Sequence, residues 1–324
     1  MKKIIYVLVI VSLVITLVSC SNKNVVTIYS SMEDFRNEDL KKMLDEKFPD
    51  ITINIEYYST GNHAAKLKNE GLKTKADMFL GLETAHVKSL KENFERLTDI
   101  DFSKFSNEII EEGENRYIPW DRYSGSIIVN TKVIKEKGLD EPTSYEDLLK
   151  PEYKNLISMP NPKTSGTGYQ FLLQWVNNLG EDEAFRYVQK LSENITQFTT
   201  SGSGPINSLV RGDIAIGLGM TFQAVYEINQ GVPLKLIFDE SGSPFNTSSS
   251  GVIKGRLEKE NVKKVYDYIF KEYLIRDKEL FMPENIFSED SGNDIPNYPV
   301  LNYSQMNKLY DIEYKLKLLE KWEY

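Results

Sequence analysis

Cysteine is nearly absent from this sequence, since Cys20 is the only one among 324 residues. A single thiol excludes an intramolecular disulfide, a cysteine-rich zinc site and a CxxC redox pair. We therefore expect a hydrophobic core to stabilise the folded chain. The hydrophobic content of 40% and the aromatic content of 11% are typical of a packed globular protein.

Catalytic motifs are scarce as well. The two histidines, His63 and His86, stand in neither an HExxH nor an HxE pattern, so zinc hydrolysis has no ligand set. The sequence has no GxSxG elbow, Walker loop or dinucleotide fingerprint. Carboxylates are numerous, which leaves a glycosidase-like pair open. The sequence favours a binding protein over an enzyme, and we expect neither a cofactor nor a bound metal.

Basic residues are in the minority, with 39 Lys and Arg against 48 Asp and Glu and a net charge of −9. Proteins that bind nucleic acid normally carry a basic surface, so nucleic acid is not an expected partner. An acidic balance is typical of a protein that stays soluble at a surface. The sequence has no internal repeat and no low-complexity tract, and we expect a monomer.

The long hydrophobic run lies at the N-terminus. Lys2 and Lys3 precede apolar residues 4–18, about 15 residues, fewer than the roughly 20 that span a bilayer. The run ends at Leu-Val-Ser-Cys20, which resembles a bacterial lipobox. We expect residues 1–19 to be a signal peptide, Cys20 to carry diacylglyceride and palmitate, and residues 20–24 to be a tether. The alternative is a signal anchor with an incidental cysteine.

The rest of the chain alternates short apolar strands with helical stretches. About 305 residues follow the predicted signal peptide, enough for two domains of roughly 150 residues each. Strand–helix–strand order predicts a parallel sheet covered by helices. The predicted strands are Val25–Tyr29, Ile51–Tyr57, Ala76–Leu82, Ser126–Val129, Leu156–Met159, Ile214–Leu218 and Leu234–Phe238.

Four loops are short and rich in glycine and hydroxyl residues, and they are predicted to follow strands. In open α/β sheets ligands bind at the carboxyl ends of strands. Glycine allows close backbone approach, and hydroxyls beside a helix N-terminus suit an anion. The alternative is that these loops are turns and helix caps. The candidate ligand-binding residues in them are Ser30, Ser31, Thr60, Gly61, Ser165, Gly166, Thr167, Gly168 and Ser203.

Seven segments along the chain resemble a known family in their order and spacing. They are Thr27–Ser31, Tyr58–Gly61, Ala76–Phe79, Tyr123–Asn130, Asn161–Gly168, Gly212–Gly217 and Ser250–Gly255. The chain resembles the solute-binding proteins of ABC importers in the ferric-iron, thiamine, phosphonate and sugar-phosphate group. The resemblance implies a type II periplasmic-binding-protein-like α/β fold, in which two lobes joined by two crossing strands trap ligand by hinge closure.

The resemblance also implies lobe boundaries and partners. The crossings would fall near Trp120–Ile127 and Phe238–Val252. Lobe 1 would hold residues 25–120 and 250–324, and lobe 2 residues 121–249. The partners would be an ABC permease with its ATPase, and the membrane through the lipid on Cys20. The protein would then lie on the extracellular face, or on the periplasmic face in a Gram-negative cell.

The expected ligand class follows from comparing loops of this chain with the ligand-binding loops of that family. Its iron binders use a tyrosine pair where this chain has Gly219-Met220-Thr221-Phe222, and their early histidine falls where Ser30-Ser31 stand. Direct iron binding is therefore disfavoured. Residues Thr164–Gly168 instead resemble the anion loop of phosphonate and sugar-phosphate binders, whose hydroxyls and helix N-terminus can bind a phosphoryl group.

Further candidates come from the resemblance alone. Glu240, beside Asp239, either receives ligand hydroxyls or an ammonium group or is a solvated surface carboxylate. Trp120 and Tyr123 either line the cleft or pack in the hinge. Thr221 and Phe222 occupy the position at which the iron binders of this group carry their tyrosine pair. We expect a phosphonate or sugar-phosphate solute. The alternatives are ferric iron, chelated or with a synergistic anion, and a lipid-anchored sensory or adhesion protein.

Overall fold

The structure is a computed structural model that describes residues 24–289 and 294–324. The predicted signal peptide and Cys20 lie outside the described residues. The strands are β1 (Val25–Ser30), β2 (Thr52–Tyr57), β3 (Met78–Glu83), β4 (Ile118–Asn130), β5 (Ile157–Pro160), β6 (Ile195–Thr199), β7 (Ile216–Met220), β8 (Leu234–Ile237) and β9 (Phe245–Val252).

Helices cover the sheet and follow most of its strands. A π-helical turn at Ile269–Tyr273 connects the ninth helix to the tenth. The α-helices are α1 (Asp34–Lys47), α2 (Thr60–Glu70), α3 (Thr84–Leu90), α4 (Thr131–Lys137), α5 (Gly166–Leu179), α6 (Glu181–Ser192), α7 (Gly204–Arg211), α8 (Thr221–Asn229), α9 (Glu260–Tyr268), α10 (Leu274–Leu280) and α11 (Ile312–Glu320).

The strands form one curled sheet in the order β2-β1-β3-β9-β4-β7-β5-β6, with β8 also paired to β4. Strand β1 is parallel to β2 and β3, and β5 is parallel to β6 and β7, whereas β4 and β9 run antiparallel to their neighbours. The 13 residues of β4 serve both halves of the sheet. Residues 118–124 pair with β9, and residues 125–129 pair with β7.

Two large hydrophobic clusters lie on either side of this connection. Trp120 belongs to the first cluster, with β1, β3 and α9, and Ile127 belongs to the second, with β5, β7 and α5. Because β4 contributes side chains to two separate hydrophobic cores, it connects two lobes. The predicted type II periplasmic-binding-protein-like fold, with its cleft between lobes, is therefore confirmed.

The C-terminal segment packs differently from the expectation that residues 250–324 all belong to lobe 1. The first cluster includes chain residues up to Ile286, but Leu318 and Trp322 lie in the second cluster. Trp322 contacts Phe198 of β6 edge-to-face at 5.4 Å. An amphipathic pattern shows that α11 is buried on one side but does not indicate which lobe it covers. We therefore place the segment from about residue 306 with the second lobe.

The last residues also contact the loop that precedes α5. The Nζ atom of Lys163 donates a hydrogen bond to the carbonyl oxygen of Trp322 at 2.6 Å. The Nδ2 atom of Asn161 donates to the carbonyl oxygen of Tyr324 at 3.0 Å. The chain's C-terminal residues thus support the loop that was expected to hold an anion.

The placement of α11 can be tested by truncating Trp322 to alanine. We expect Trp322→Ala to lower the free energy of unfolding by about 3–5 kcal/mol, because it leaves a cavity in the second cluster. Leu316→Ala is the matched control in the same C-terminal segment, since Leu316 is 49% exposed, and it should change stability by less than about 0.5 kcal/mol. Urea denaturation measures both, and equal effects would contradict the packing.

Candidate ligand-binding cleft

A polar cleft lies between the two lobes. Strands β4 and β9 form its floor through Asp121, Tyr123 and Ser248. Loops that follow the carboxyl ends of the other strands form its walls, as expected for an α/β sheet. Ser31–Glu33 and Tyr57–Thr60 come from the first lobe, and the opposite wall consists of Ser165, Gly166, Thr167, Gly202, Ser203, Met220 and Phe222.

Among the described helices, five begin at this cleft. Their capping residues all line it: Glu33 for α1, Ser59 for α2, Ser165 for α5, Ser203 for α7 and Met220 for α8. A helix N-terminus presents unpaired N–H groups and the positive end of the helix dipole. Several such ends that converge on one volume favour a bound anion.

Several hydroxyl groups at the cleft have no hydrogen-bond partner among the described residues. In the part of the chain that the structure describes, the side chains of Thr60, Tyr123, Thr167 and Ser203 make no hydrogen bond. Burial raises the pKa of Tyr123 well above its usual value, so its hydroxyl keeps its proton. A hydroxyl without a protein partner can donate to a ligand oxygen. These groups therefore supply hydrogen-bond donors beside the helix N-termini.

Other cleft hydroxyls already have partners. Ser31 donates to the carbonyl oxygen of Tyr58 at 2.9 Å, and its Oγ lies 2.8 Å from Nδ1 of His63. Burial lowers the pKa of His63 to about 3, so the ring is neutral, and Nδ1 then donates to Ser31. The Oγ of Ser165 accepts from the backbone N–H of Gly168 at 3.4 Å. These bonds fix the two serines, and the capping alternative is thus realised for Ser165.

The two walls touch beside the cleft, where a glycine is required. The backbone N–H of Gly61 donates to the carbonyl oxygen of Thr164 at 3.0 Å. A Cβ atom on Gly61 would lie 2.5 Å from the carbonyl oxygen of Lys163. A second contact joins the lobes deeper inside, where Lys315 of α11 pairs with Glu83 of β3 at 2.5 Å and both side chains are buried. The structure is therefore a closed form.

A buried ionic network lies at the first-lobe end of the cleft. Arg36 of α1 donates to Glu33 at 3.0 Å, to Asp121 at 2.9 and 3.2 Å, and to Asp277 at 2.7 and 2.9 Å. Lys278 donates to Asp121 at 2.5 Å and to Asp277 at 3.0 Å. Glu33, Arg36 and Asp121 line the cleft, whereas the α10 residues stand behind them.

The network shifts the pKa values of Glu33, Arg36 and Asp121. Burial raises the pKa of Glu33, although Arg36 partly opposes that rise. Burial disfavours the charge of Arg36, but the three carboxylates around it raise its pKa well above the usual value. Burial would also raise the pKa of Asp121, yet Arg36 and Lys278 bring it below its ordinary value. Asp121 and Arg36 are therefore charged at neutral pH, and Glu33 is the poorly compensated member.

Eight of the predicted ligand-binding residues line the cleft, and six do not. The eight are Ser31, Thr60, Tyr123, Ser165, Gly166, Thr167, Ser203 and Phe222. Their contact with a ligand stays a prediction. The six are Ser30, Gly61, Trp120, Gly168, Thr221 and Glu240.

Each exception has a structural reason. Ser30 donates to Asn37 and so holds the turn before α1. Trp120 packs edge-to-face on Phe270 in the first cluster. Gly168 lies inside α5, where a Cβ atom would be 2.4 Å from the carbonyl oxygen of Pro160. The remaining three are Gly61, which bonds to the opposite wall, Thr221, which is fully buried with an unpartnered hydroxyl, and Glu240, which is exposed beyond β8.

Comparison with known proteins identifies the class. The family model described as bacterial extracellular solute-binding protein matches residues 46–296, well over half of the chain. The chain therefore belongs to this family and is the solute-binding component of an ABC importer. None of the helices in residues 24–289 and 294–324 is long and apolar enough to span a bilayer.

Individual relatives share about a quarter of their residues with this chain. An uncharacterised Haemophilus influenzae protein is 26% identical over 94% of this chain and 91% of the relative. A putative 2-aminoethylphosphonate-binding periplasmic protein of Salmonella typhi is 25% identical over 84% of this chain and 82% of the relative. These proteins align over nearly their full length with the chain.

Solved structures share the fold. The periplasmic binding protein P5PA superposes with a TM-score of 0.78 at 21% identity, covering 92% of this chain and 98% of that one. AfuA from Actinobacillus pleuropneumoniae, with fructose-6-phosphate bound, gives 0.77 at 22% identity, covering 92% and 97%. Iron-bound HitA from Pseudomonas aeruginosa gives 0.67 at 17% identity, covering 91% and 98%. The same fold thus appears in structures with different ligands.

The stabilising role of the network can be tested by removing the side-chain charge of Arg36. We expect Arg36→Met to lower the free energy of unfolding by about 3–5 kcal/mol, because three buried carboxylates lose their shared cation. Arg276→Met is the matched control, since Arg276 pairs with Asp39 at the surface, and it should cost less than about 1 kcal/mol. Chemical denaturation near pH 7 compares the two, and a small effect at Arg36 would contradict this account.

Proposed function

We propose that this protein captures a small solute carrying a phosphonate or phosphoryl group and delivers it to its import permease. The carrying observation is that five helix N-termini and four uncommitted hydroxyls meet in one polar cleft between two lobes. These donors are neutral, and together they suit the oxygens of a tetrahedral anion. The names of the Salmonella typhi relative and of the AfuA complex support the same ligand class.

Capture works through closure of the lobes. Helices α1 and α2 point their N-termini at the solute from the first lobe, and α5, α7 and α8 do so from the second. An anion that contacts both walls binds the closed form more tightly than the open one and so shifts the population toward closure. Strands β4 and β9 connect the lobes and are the expected hinge. We propose that the protein carries its solute unchanged and is not an enzyme.

A ferric ligand is less well supported. Fe(III) requires several hard, mostly anionic ligands held together. The junction of β7 and α8 holds Met220, Thr221 and Phe222, none of which is an anionic ligand. Within the described residues, no three histidine, cysteine, aspartate or glutamate side chains are arranged to hold a metal ion. The cleft is therefore better suited to an anion held by hydrogen bonds.

Direct binding tests this proposal through Thr167. Thr167→Val keeps the side-chain shape and removes a hydroxyl that has no protein partner. We expect it to weaken binding of 2-aminoethylphosphonate or fructose-6-phosphate, whichever binds, by about 1–3 kcal/mol, roughly 5- to 150-fold. Isothermal titration calorimetry on the chain from Ser21 onward measures this change.

The control is Thr131→Val, since Thr131 begins α4 away from the cleft and donates to Pro233. This variant should bind like the parent protein. Unchanged affinity in Thr167→Val would place the anion elsewhere in the molecule. Failure of every phosphonate and phosphorylated compound to bind the parent protein would refute the ligand class itself.

We also propose that the mature protein is anchored through lipid on Cys20. The expected result is that Cys20→Ser moves the protein from the membrane fraction to the soluble fraction and abolishes labelling by radioactive palmitate. The lipobox pattern requires the thiol, whereas Ser21→Ala as a control leaves it intact. Fractionation of cells that express each variant measures this, and membrane retention of Cys20→Ser would contradict lipidation.

A further inference from the structure

The charged side chains at the cleft differ in how much hydrogen-bonding capacity they have left. Three of the described cleft residues are charged, namely Glu33, Arg36 and Asp121. A guanidinium has five N–H donors. Arg36 makes five hydrogen bonds, to Glu33, Asp121 and Asp277. Although it is a cation at the edge of an anion site, Arg36 is therefore already committed to carboxylates.

Asp121 is committed in the same way. Its Oδ1 accepts from Nη2 of Arg36 at 2.9 Å and from Nζ of Lys278 at 2.5 Å. Its Oδ2 accepts from Nη1 of Arg36 at 3.2 Å and from the hydroxyl of Ser248 at 3.0 Å. A carboxylate has about four lone-pair sites, and all four have donors here. A ligand would have to break one of these bonds to reach Asp121.

Glu33 is the exception. Its side chain is about nine-tenths buried, with a relative exposure of 9% for the residue. Its Oε2 accepts from Nη1 of Arg36, and among the described side chains it has no other partner. Besides its own backbone N–H group, the Glu33 carboxylate has no further donor among the described residues, and it lies at the wall of the cleft. A largely buried carboxylate with few donors is incompletely compensated, so a ligand that supplies a donor there gains affinity.

The balance of charge points to the same conclusion. The buried network contains three carboxylates and two cations, which leaves one excess negative charge. Burial of Glu33 raises its pKa, as expected for a carboxylate that lacks full compensation. A purely anionic solute would meet this negative charge near the helix N-termini. A solute with a cationic group would instead complete the network.

We propose that the solute is zwitterionic, and that Glu33 binds its ammonium group while the helix N-termini and free hydroxyls bind its phosphonate or phosphoryl group. This inference rests on the proposed function and narrows its substrate class to amine-bearing compounds. Glu33 acts here as a specificity-determining residue. It disfavours isosteric solutes without a donor because they leave its carboxylate paired with Arg36 alone, the kind of mismatch that discriminates strongly between ligands.

A matched ligand series on the unmodified protein provides the test. The probes are 2-aminoethylphosphonate, propylphosphonate, in which methyl replaces ammonium, and 3-phosphonopropionate, in which carboxylate replaces it. We expect propylphosphonate to bind about 10- to 100-fold more weakly than the amine, since it cannot pair with a buried charge. We expect 3-phosphonopropionate to bind more weakly still.

Variants assign the effect to one residue. Glu33→Gln should weaken binding of the amine and reduce the difference between the amine and propylphosphonate to less than about threefold. Glu38→Gln is the matched control, because Glu38 is exposed on the same helix, and it should keep the full difference. Thermal unfolding of both variants establishes that they are folded before calorimetry.

The outcomes are distinguishable. If propylphosphonate binds as tightly as 2-aminoethylphosphonate, the zwitterion proposal is overturned while the phosphoryl-binding function stands. If no phosphonate or phosphorylated probe binds, the proposed function itself fails. If the amine preference persists in Glu33→Gln, the ligand class stands but its assignment to Glu33 is wrong.

Discussion

The guanidinium of Arg36 fixes three segments that are far apart in the chain, the first turn of α1, the crossing strand β4 and helix α10. Removing any one charge from such a buried cluster leaves the others uncompensated, so the cluster constrains all three segments together. The cleft depends on this constraint. The network fixes the first turn of α1, and therefore where its N-terminus points, and it occupies the carboxylate oxygens of Asp121 on the cleft floor.

Closure of the lobes relies on contacts of a different kind. The Gly61–Thr164 bond joins backbone to backbone across the walls, and Phe35 of α1 stacks on Tyr226 of α8 with ring centroids 4.3 Å apart. The Glu83–Lys315 pair adds a buried charge interaction between the lobes. These contacts form only when the walls meet. A solute held by both walls therefore adds to the contacts that the closed arrangement already makes.

Much of the fold and part of the cleft could be predicted, for reasons that differ by residue. Thr60, Ser165 and Thr167 were found because a hydroxyl- and glycine-rich loop before a helix is a local pattern. The ionic network was not found, because Arg36 lies 85 residues from Asp121 and 241 residues from Asp277, and the three share no motif. The resemblance placed a crossing near Phe238–Val252, but it did not indicate that Thr84, Asp121 and Gly81 satisfy the hydroxyls of the serine-rich β9 inside the sheet.

The C-terminal residues have a practical meaning for anyone who works with this protein. The carbonyl oxygens of Trp322 and Tyr324 receive hydrogen bonds from Lys163 and Asn161, in the loop that leads into α5. A purification tag fused directly after Tyr324 would therefore press on one wall of the cleft. Affinities measured on such a fusion would therefore report both ligand binding and any distortion of the loop before α5. A tag placed ahead of β1 leaves this loop undisturbed.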